Sequence, residues 1–215
     1  MTPQSDHPAL LLIVSGPAGS GKTTLCDRML AEVSGLQRII TATTRPPRIG
    51  EKDGVDYYFF SREAFQEGID NGEFFEWARV HDHLYGCLKR EVRDKLARDI
   101  DLILNIDVQG ADTFQRAVDS DPQLRDRVVS VFLTPSSLEV IRARLEERGQ
   151  DERDEIERRL KNAEAEISQW VYYDYCLVSG DRETDFFSIR SIQYAEKLRN
   201  RRKKPRPATP QASQE

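Results

Sequence analysis

Apolar runs alternate along this chain with stretches whose apolar residues recur at helical spacing. The runs Leu10–Ser15, Leu102–Ile106, Val128–Leu133 and Cys176–Val178 are short and rich in Leu, Ile and Val, the pattern of strands buried on both faces. Between them, Lys22–Val33, Val108–Val118 and Ser136–Arg148 read as helices. Such alternation predicts an α/β fold, a central parallel sheet flanked by helices, with ligands at the carboxyl ends of its strands.

Residues 38–90 break that rhythm. Their strand signals are short and aromatic, at Val55–Phe60, Phe74–Val80 and Leu84–Gly86, with turn chemistry at Asp53-Gly54 and Asn71-Gly72 and a helical stretch at Arg62–Ile69. A small mixed α/β insertion is expected here, dividing a core of residues 9–37 and 91–198. Residues 142–160 carry both charge signs at high density around Gly149 and read as a solvated helix pair, with ion pairs such as Glu155–Arg159. A flexible N-terminus (1–8) and a disordered tail (200–215) holding Arg201, Arg202, Lys203 and Lys204 complete the expected organisation.

Composition narrows the function classes. The 215 residues are 38% hydrophobic and 32% charged, and the net charge of −5 argues against bulk binding to nucleic acid. No apolar run approaches the roughly 20 residues that span a bilayer, and Met1–Pro8 lacks the basic region of a secretion signal. Cys26, Cys87 and Cys176 sit in unrelated contexts and suggest neither disulfides nor a metal site. A cytoplasmic protein is expected, with neither membrane nor nucleic acid as partner. No motif specifies monomer or homo-oligomer.

The strongest local signal follows the first strand: Gly16, Pro17, Ala18, Gly19, Ser20, Gly21, Lys22, Thr23, with Thr24 after it. A buried strand, a glycine turn and a helix start aim successive N–H groups and the helix dipole at a polyphosphate. Lys22 is placed to reach the β/γ phosphates and the Thr23 hydroxyl to hold Mg2+. A P-loop leaves the phosphoryl acceptor open. A second constellation bears on it: Arg45 and Arg48 flank Pro46 and Pro47, so the segment is extended and the two guanidiniums leave one side about 9 Å apart on a 3.1 Å rise. Planar forks at that spacing suit one dianionic group, and Tyr57 and Tyr85 add phenolic donors.

These pieces, with Gly54-Val-Asp-Tyr-Tyr-Phe, Glu73-Phe-Phe-Glu-Trp-Ala, Leu84-Tyr-Gly, Ile106-Asp-Val-Gln-Gly, Arg144-Leu-Glu-Glu-Arg-Gly and Ile156-Glu-Arg-Arg-Leu, occur in one order from about Leu10 to Leu198. In that order the chain resembles the guanylate kinase family. The resemblance implies a P-loop NTPase fold with a monophosphate-binding insertion and a helical lid, ATP as donor with Mg2+, and GMP or dGMP as acceptor. It implies that Arg45, Arg48, Tyr57 and Tyr85 hold the GMP phosphate, with Thr41 where the family usually has serine. Glu76, helped by Asp107, would accept from guanine N1–H and N2–H, beside Gly86 and Cys87. Arg144, Arg148 and Arg159 match lid arginines that, with Lys22 and Arg48, serve the transfer itself.

Three positions depart from the family pattern. Cys87 replaces a hydroxyl that donates to guanine O6, and a thiol is a poor donor. Asn105 stands where aspartate is common, and Ser179-Gly180 where an Asn-Asp pair often meets adenine. Two alternatives remain open at this point: a related P-loop kinase of a phosphorylated sugar, and a non-catalytic binding module of the same fold.

Overall fold

The computed structural model describes residues 7–148 and 153–199, apart from the side chains at 144, 145, 148 and 153–155. The expected tail and residues 1–6 therefore lie outside the described residues. So do the side chains of Arg144, Arg148 and Glu155.

Five strands form a fully parallel sheet: β1 (Leu11–Ser15), β2 (Leu36–Arg38), β7 (Asp101–Asn105), β8 (Val128–Pro135) and β9 (Tyr175–Ser179), ordered β2-β7-β1-β8-β9. β1 is central because all five of its residues are buried. Leu11 lies opposite Leu102 on one side and Val128 on the other. The two-residue period of a strand splits its side chains between two apolar layers. Leu11 and Ile13 join Leu102, Leu104, Val92, Leu96 and Phe114. Leu12 and Val14 join Ile103, Val131 and Leu133 against Met29, Phe186 and Ile189.

Helices α1 (Lys22–Glu32), α3 (Lys89–Ala97), α4 (Val108–Asp119) and α7 (Arg182–Leu198) cover the sheet. α3 is hidden in the sequence because its segment is mostly charged, yet Val92 and Leu96 are buried at i, i+4. At the amino end of β7, Asp101 accepts from the Leu10 amide (3.0 Å) and pairs with Lys197 of α7 (2.6 Å).

The second sheet, ordered β4-β3-β6-β5, is built from β3 (Ala42–Thr43), β4 (Tyr58–Phe59), β5 (Phe74–Val80) and β6 (His83–Leu88). Its helix α2 (Arg62–Asp70) is capped by Ser61, and Phe65 stacks on Phe74 at 4.4 Å. The strand expected over Val55–Phe60 shrinks to Tyr58–Phe59. Residues 52–57 fold back on themselves instead, through Asp56 N–H to Lys52 O (3.0 Å) and Gly54 N–H to Tyr57 O (2.8 Å). β5 lies against α4, with Phe75 and Phe114 at 4.8 Å, so the main core continues into this sheet.

Helices α5 (Leu138–Arg148) and α6 (Arg153–Ile167) share an apolar seam of Ile141, Ile156, Leu160 and Ala163. Arg142 pairs with Glu157 across them at 2.5 Å. A single 3-10 turn (Ser168–Tyr172) leads into β9. No described helix is long and apolar enough to cross a membrane.

Candidate active site

The loop after β1 takes the conformation its glycines permit. Gly16, Gly19 and Gly21 have φ of 139°, 79° and 104°, a region that costs other residues dearly. At Gly16 there is also no room, since a Cβ would lie 2.1 Å from the Leu133 carbonyl oxygen of β8. α1 begins with no side-chain cap and no acidic residue in its first turn, which leaves the positive end of its dipole to an anion. Lys22 folds back, its ammonium donating to the carbonyls of Gly16 (2.7 Å) and Pro17 (2.9 Å). Beside the loop a cleft of about 570 Å³ is lined by Gly19, Gly21, Thr24, Arg28, Ser179 and Asp185, among others. There the Asp185 carboxylate accepts from the Ser179 hydroxyl (2.8 Å) and the Gly180 amide (2.9 Å).

The Thr23 hydroxyl accepts from Asn105 Nδ2 at 3.1 Å. Among the described residues no group of three or more His, Cys, Asp or Glu is arranged to hold a metal. One hydroxyl at a helix start suits an Mg2+ ion whose other ligands are phosphate oxygens and water.

A second cleft, about 430 Å³, opens between the two sheets and includes Thr41, Glu76, Tyr85, Gly86, Asn105 and Asp107 in its lining. Glu76 is part of this lining and is 9% exposed. Burial pushes its carboxyl up to about 7; the nearby Asp107 charge adds to the rise, and a hydrogen bond from the Cys87 amide opposes it. Asp107 caps α4, accepting from the Gly110 amide at 2.7 Å, which fixes its carboxylate at the cleft wall.

At the same sheet, Arg45, Tyr57 and Tyr85 come together. The Arg45 guanidinium lies 5.5 Å from the Tyr57 ring centre, the two tyrosine rings are 6.1 Å apart, and Arg45 is hydrogen-bonded to Tyr85. Arg48 is exposed. Both arginines nevertheless act on one carboxylate: Glu51 pairs with Arg45 (2.9 Å) and accepts the Arg48 amide (2.7 Å), and together they lower its pKa. Arg45 meets Glu51 with its guanidinium and Arg48 with its backbone amide, so the side-chain convergence that the Arg-Pro-Pro-Arg spacing predicts is not made at this carboxylate.

The family profile for guanylate kinase matches residues 9–195. The chain belongs to the guanylate kinase family. Guanylate kinase from Rhodopseudomonas palustris is 42% identical over 193 residues, 90% of this chain and 85% of the relative. That from Carboxydothermus hydrogenoformans is 39% identical over 196 residues, 91% and 93% of the two chains. The crystal structure of guanylate kinase from Anaplasma phagocytophilum has a TM-score of 0.67 at 33% identity, covering 91% of this chain and 90% of its own. An ATP:GMP phosphotransferase is therefore favoured over the sugar-phosphate kinase and the non-catalytic module.

Cys87 lies opposite Glu76 in the pairing of β5 with β6. Its side chain is fully buried in the main core and is not among the residues lining the second cleft. Burial, with the Glu76 and Glu91 charges, pushes its thiol well up, so it is not a thiolate. The Cys87 contribution is its amide, which donates to Glu76. Arg159 is half-buried on α6, whereas Arg144 and Arg148 are carried by α5 with side chains outside the described residues.

Two acidic residues at the site escape the sequence reading. Glu51 aims Arg45, and its only signal is a place in the Arg-Pro-Pro-Arg-Ile-Gly-Glu segment. Glu166, half-buried near the end of α6, accepts a hydrogen bond from the Ala18 amide of the glycine loop and feels the Lys22 charge. In sequence it is one more carboxylate in a charged helix.

Proposed function

We propose that the two clefts are the donor and acceptor halves of one phosphoryl-transfer site, with Glu76 reading the guanine of GMP. The observation that carries this is the buried Glu76 carboxylate in the lining of a cleft that also contains Asp107 and Tyr85. Guanine offers adjacent N1–H and N2–H donors that one carboxylate can accept. Adenine presents an acceptor at N1 and nothing at C2, which would leave a buried charge unpaired.

Each remaining group then has a task. The loop N–H groups from residue 18 to 21 and Lys22 bind the donor phosphates, releasing the contacts Lys22 makes to its own loop. Thr23 supplies a ligand to Mg2+, which when bound neutralises charge on the donor phosphates. Arg45, Tyr57 and Tyr85, with Thr41, hold the acceptor phosphate, aimed by Glu51. Arg48, with Arg144, Arg148 and Arg159 from the lid helices, offsets charge between donor and acceptor. The attacking atom is an anionic phosphate oxygen, so no general base is required. Transfer depends on positioning and charge.

An acceptor panel tests this reading: ADP formation from ATP with GMP, dGMP, AMP, UMP and ribose phosphates. Turnover with GMP and dGMP is expected, with AMP, UMP and ribose phosphates inactive. Lys22→Ala should lower kcat by about 10²–10³-fold. Near-wild-type turnover in that variant, or equal turnover with ribose phosphates, would overturn the assignment.

A further inference from the structure

Outside both clefts lies a buried ionic cluster that the transfer does not use. Glu91, in the first turn of α3, is 6% exposed, and Lys95, one turn later, is 8% exposed. Their side chains pair at 2.5 Å. The Glu91 carboxylate also accepts from the Ile40 amide (3.1 Å, Oε1) and the Tyr58 hydroxyl (2.8 Å, Oε2), while Lys95 donates to the Arg38 carbonyl (3.1 Å). Three separate pieces of chain thus meet at one carboxylate: the segment leaving β2, strand β4, and helix α3.

Burying an ion pair rarely adds stability over an apolar pair of the same shape. What it supplies here is direction. Ile40 immediately precedes Thr41, which lines the acceptor cleft. Tyr58 immediately follows Tyr57, and successive side chains of an extended segment point to opposite faces. Tyr57 faces Arg45 and Tyr85, while Tyr58 faces Glu91. β4 has only two residues, and its ladder to β3 is correspondingly short: Tyr58 N–H to Thr41 O and Phe60 N–H to Thr43 O, both 2.9 Å. So short a strand needs a side-chain anchor to hold its register. Burial and the bond to Glu91 push the Tyr58 hydroxyl up to about 12, so it remains a donor throughout the working range.

We infer that Glu91, acting through Tyr58 and the Ile40 amide, is a positioning residue for the acceptor phosphate: it fixes Tyr57 and Thr41 relative to the core without touching the substrate. The inference rests on the acceptor-cleft assignment above.

The test compares Tyr58→Phe, Glu91→Gln, Tyr57→Phe and the Tyr57→Phe/Tyr58→Phe double variant, measuring KM for GMP and for ATP, kcat and the thermal midpoint. Tyr58→Phe should raise the GMP KM about fivefold, with the ATP KM and kcat at saturating GMP unchanged within about twofold. Glu91→Gln should raise it further. Because that change strands the Lys95 charge, Tyr58→Phe, which leaves the Glu91–Lys95 pair intact, carries the test if Glu91→Gln fails to fold. The double variant should resemble Tyr57→Phe alone, since Tyr58 acts through Tyr57. Additive losses, parallel rises in both KM values, or a lower midpoint with an unchanged GMP KM would overturn the inference. A Tyr57→Phe enzyme with an unaltered GMP KM would overturn the acceptor-cleft assignment itself, and the inference with it.

Discussion

Glu76 must be ionised to accept both guanine donors, yet its surroundings push its carboxyl up from 4.5 to about 7. The GMP KM should therefore rise as pH falls through 7. With that pKa, the ionised fraction drops from about 90% at pH 8 to about 25% at pH 6.5, giving an approximately fourfold rise in KM over that interval. The phosphate of GMP itself takes up a proton near pH 6, so the interval from 6.5 to 8 isolates the carboxyl. Stability should move the other way. A carboxyl whose folded pKa is raised destabilises the fold at every pH above the folded value, and that penalty fades as pH falls from about 7 to 4.5. Its ceiling is about 3 kcal/mol, because a tenfold change in proton affinity is worth about 1.4 kcal/mol. Glu76→Gln, neutral at all pH, should be more stable than wild type at pH 8 by up to that amount, with a high GMP KM that is flat from pH 6.5 to 8. The assay is initial-rate ADP formation at saturating ATP with GMP varied, paired with thermal melts at each pH. A wild-type KM that is constant over the interval, or a Glu76→Gln curve with the same slope, would refute the reasoning.

Two further predictions concern the frame around the site. Gly16→Ala should lower the thermal midpoint by about 5 °C or more and weaken ATP retention, because it combines positive φ with a Cβ 2.1 Å from Leu133 O. Gly35→Ala, also at positive φ but with nothing within 4 Å, should cost less in the same melt; equal losses would show that the β8 contact is unimportant. Phe114→Ala, at a fully buried ring that also contacts Phe75, should cost about 3–5 kcal/mol in denaturant unfolding. A loss below about 1 kcal/mol would mean the two sheets do not share a core.

What the sequence reveals and what it hides follow from range. β1, the glycine loop and the start of α1 are continuous in the chain, so their chemistry is legible in one short stretch. The path of the segment from Arg45 to Arg48 is legible for the same reason, since two prolines set it, but the exposed Arg48 side chain is not placed by it. β4 is not: Val55 and Asp56 have strand-like neighbours, but the local fold-back between Lys52 and Tyr57 outcompetes a ladder there. Glu91, Glu51 and Glu166 owe their roles to partners that no local pattern announces, such as Ile40 for Glu91, 51 positions away. A carboxylate in a charged helix looks solvated until the partner is placed. Cys87 is a milder case, since position alone does not tell whether a strand residue offers its side chain or its amide.

The three cysteines also make the folded state countable. Burial pushes all three thiols up, Cys26 to about 12, but Cys26 and Cys87 are buried whereas Cys176 is exposed on β9, at the edge of the parallel sheet. A maleimide should therefore attach once to the native protein and three times to the unfolded one. That gives a mass-spectrometric gauge of intactness, and a single natural handle for a fluorophore, without engineering the chain.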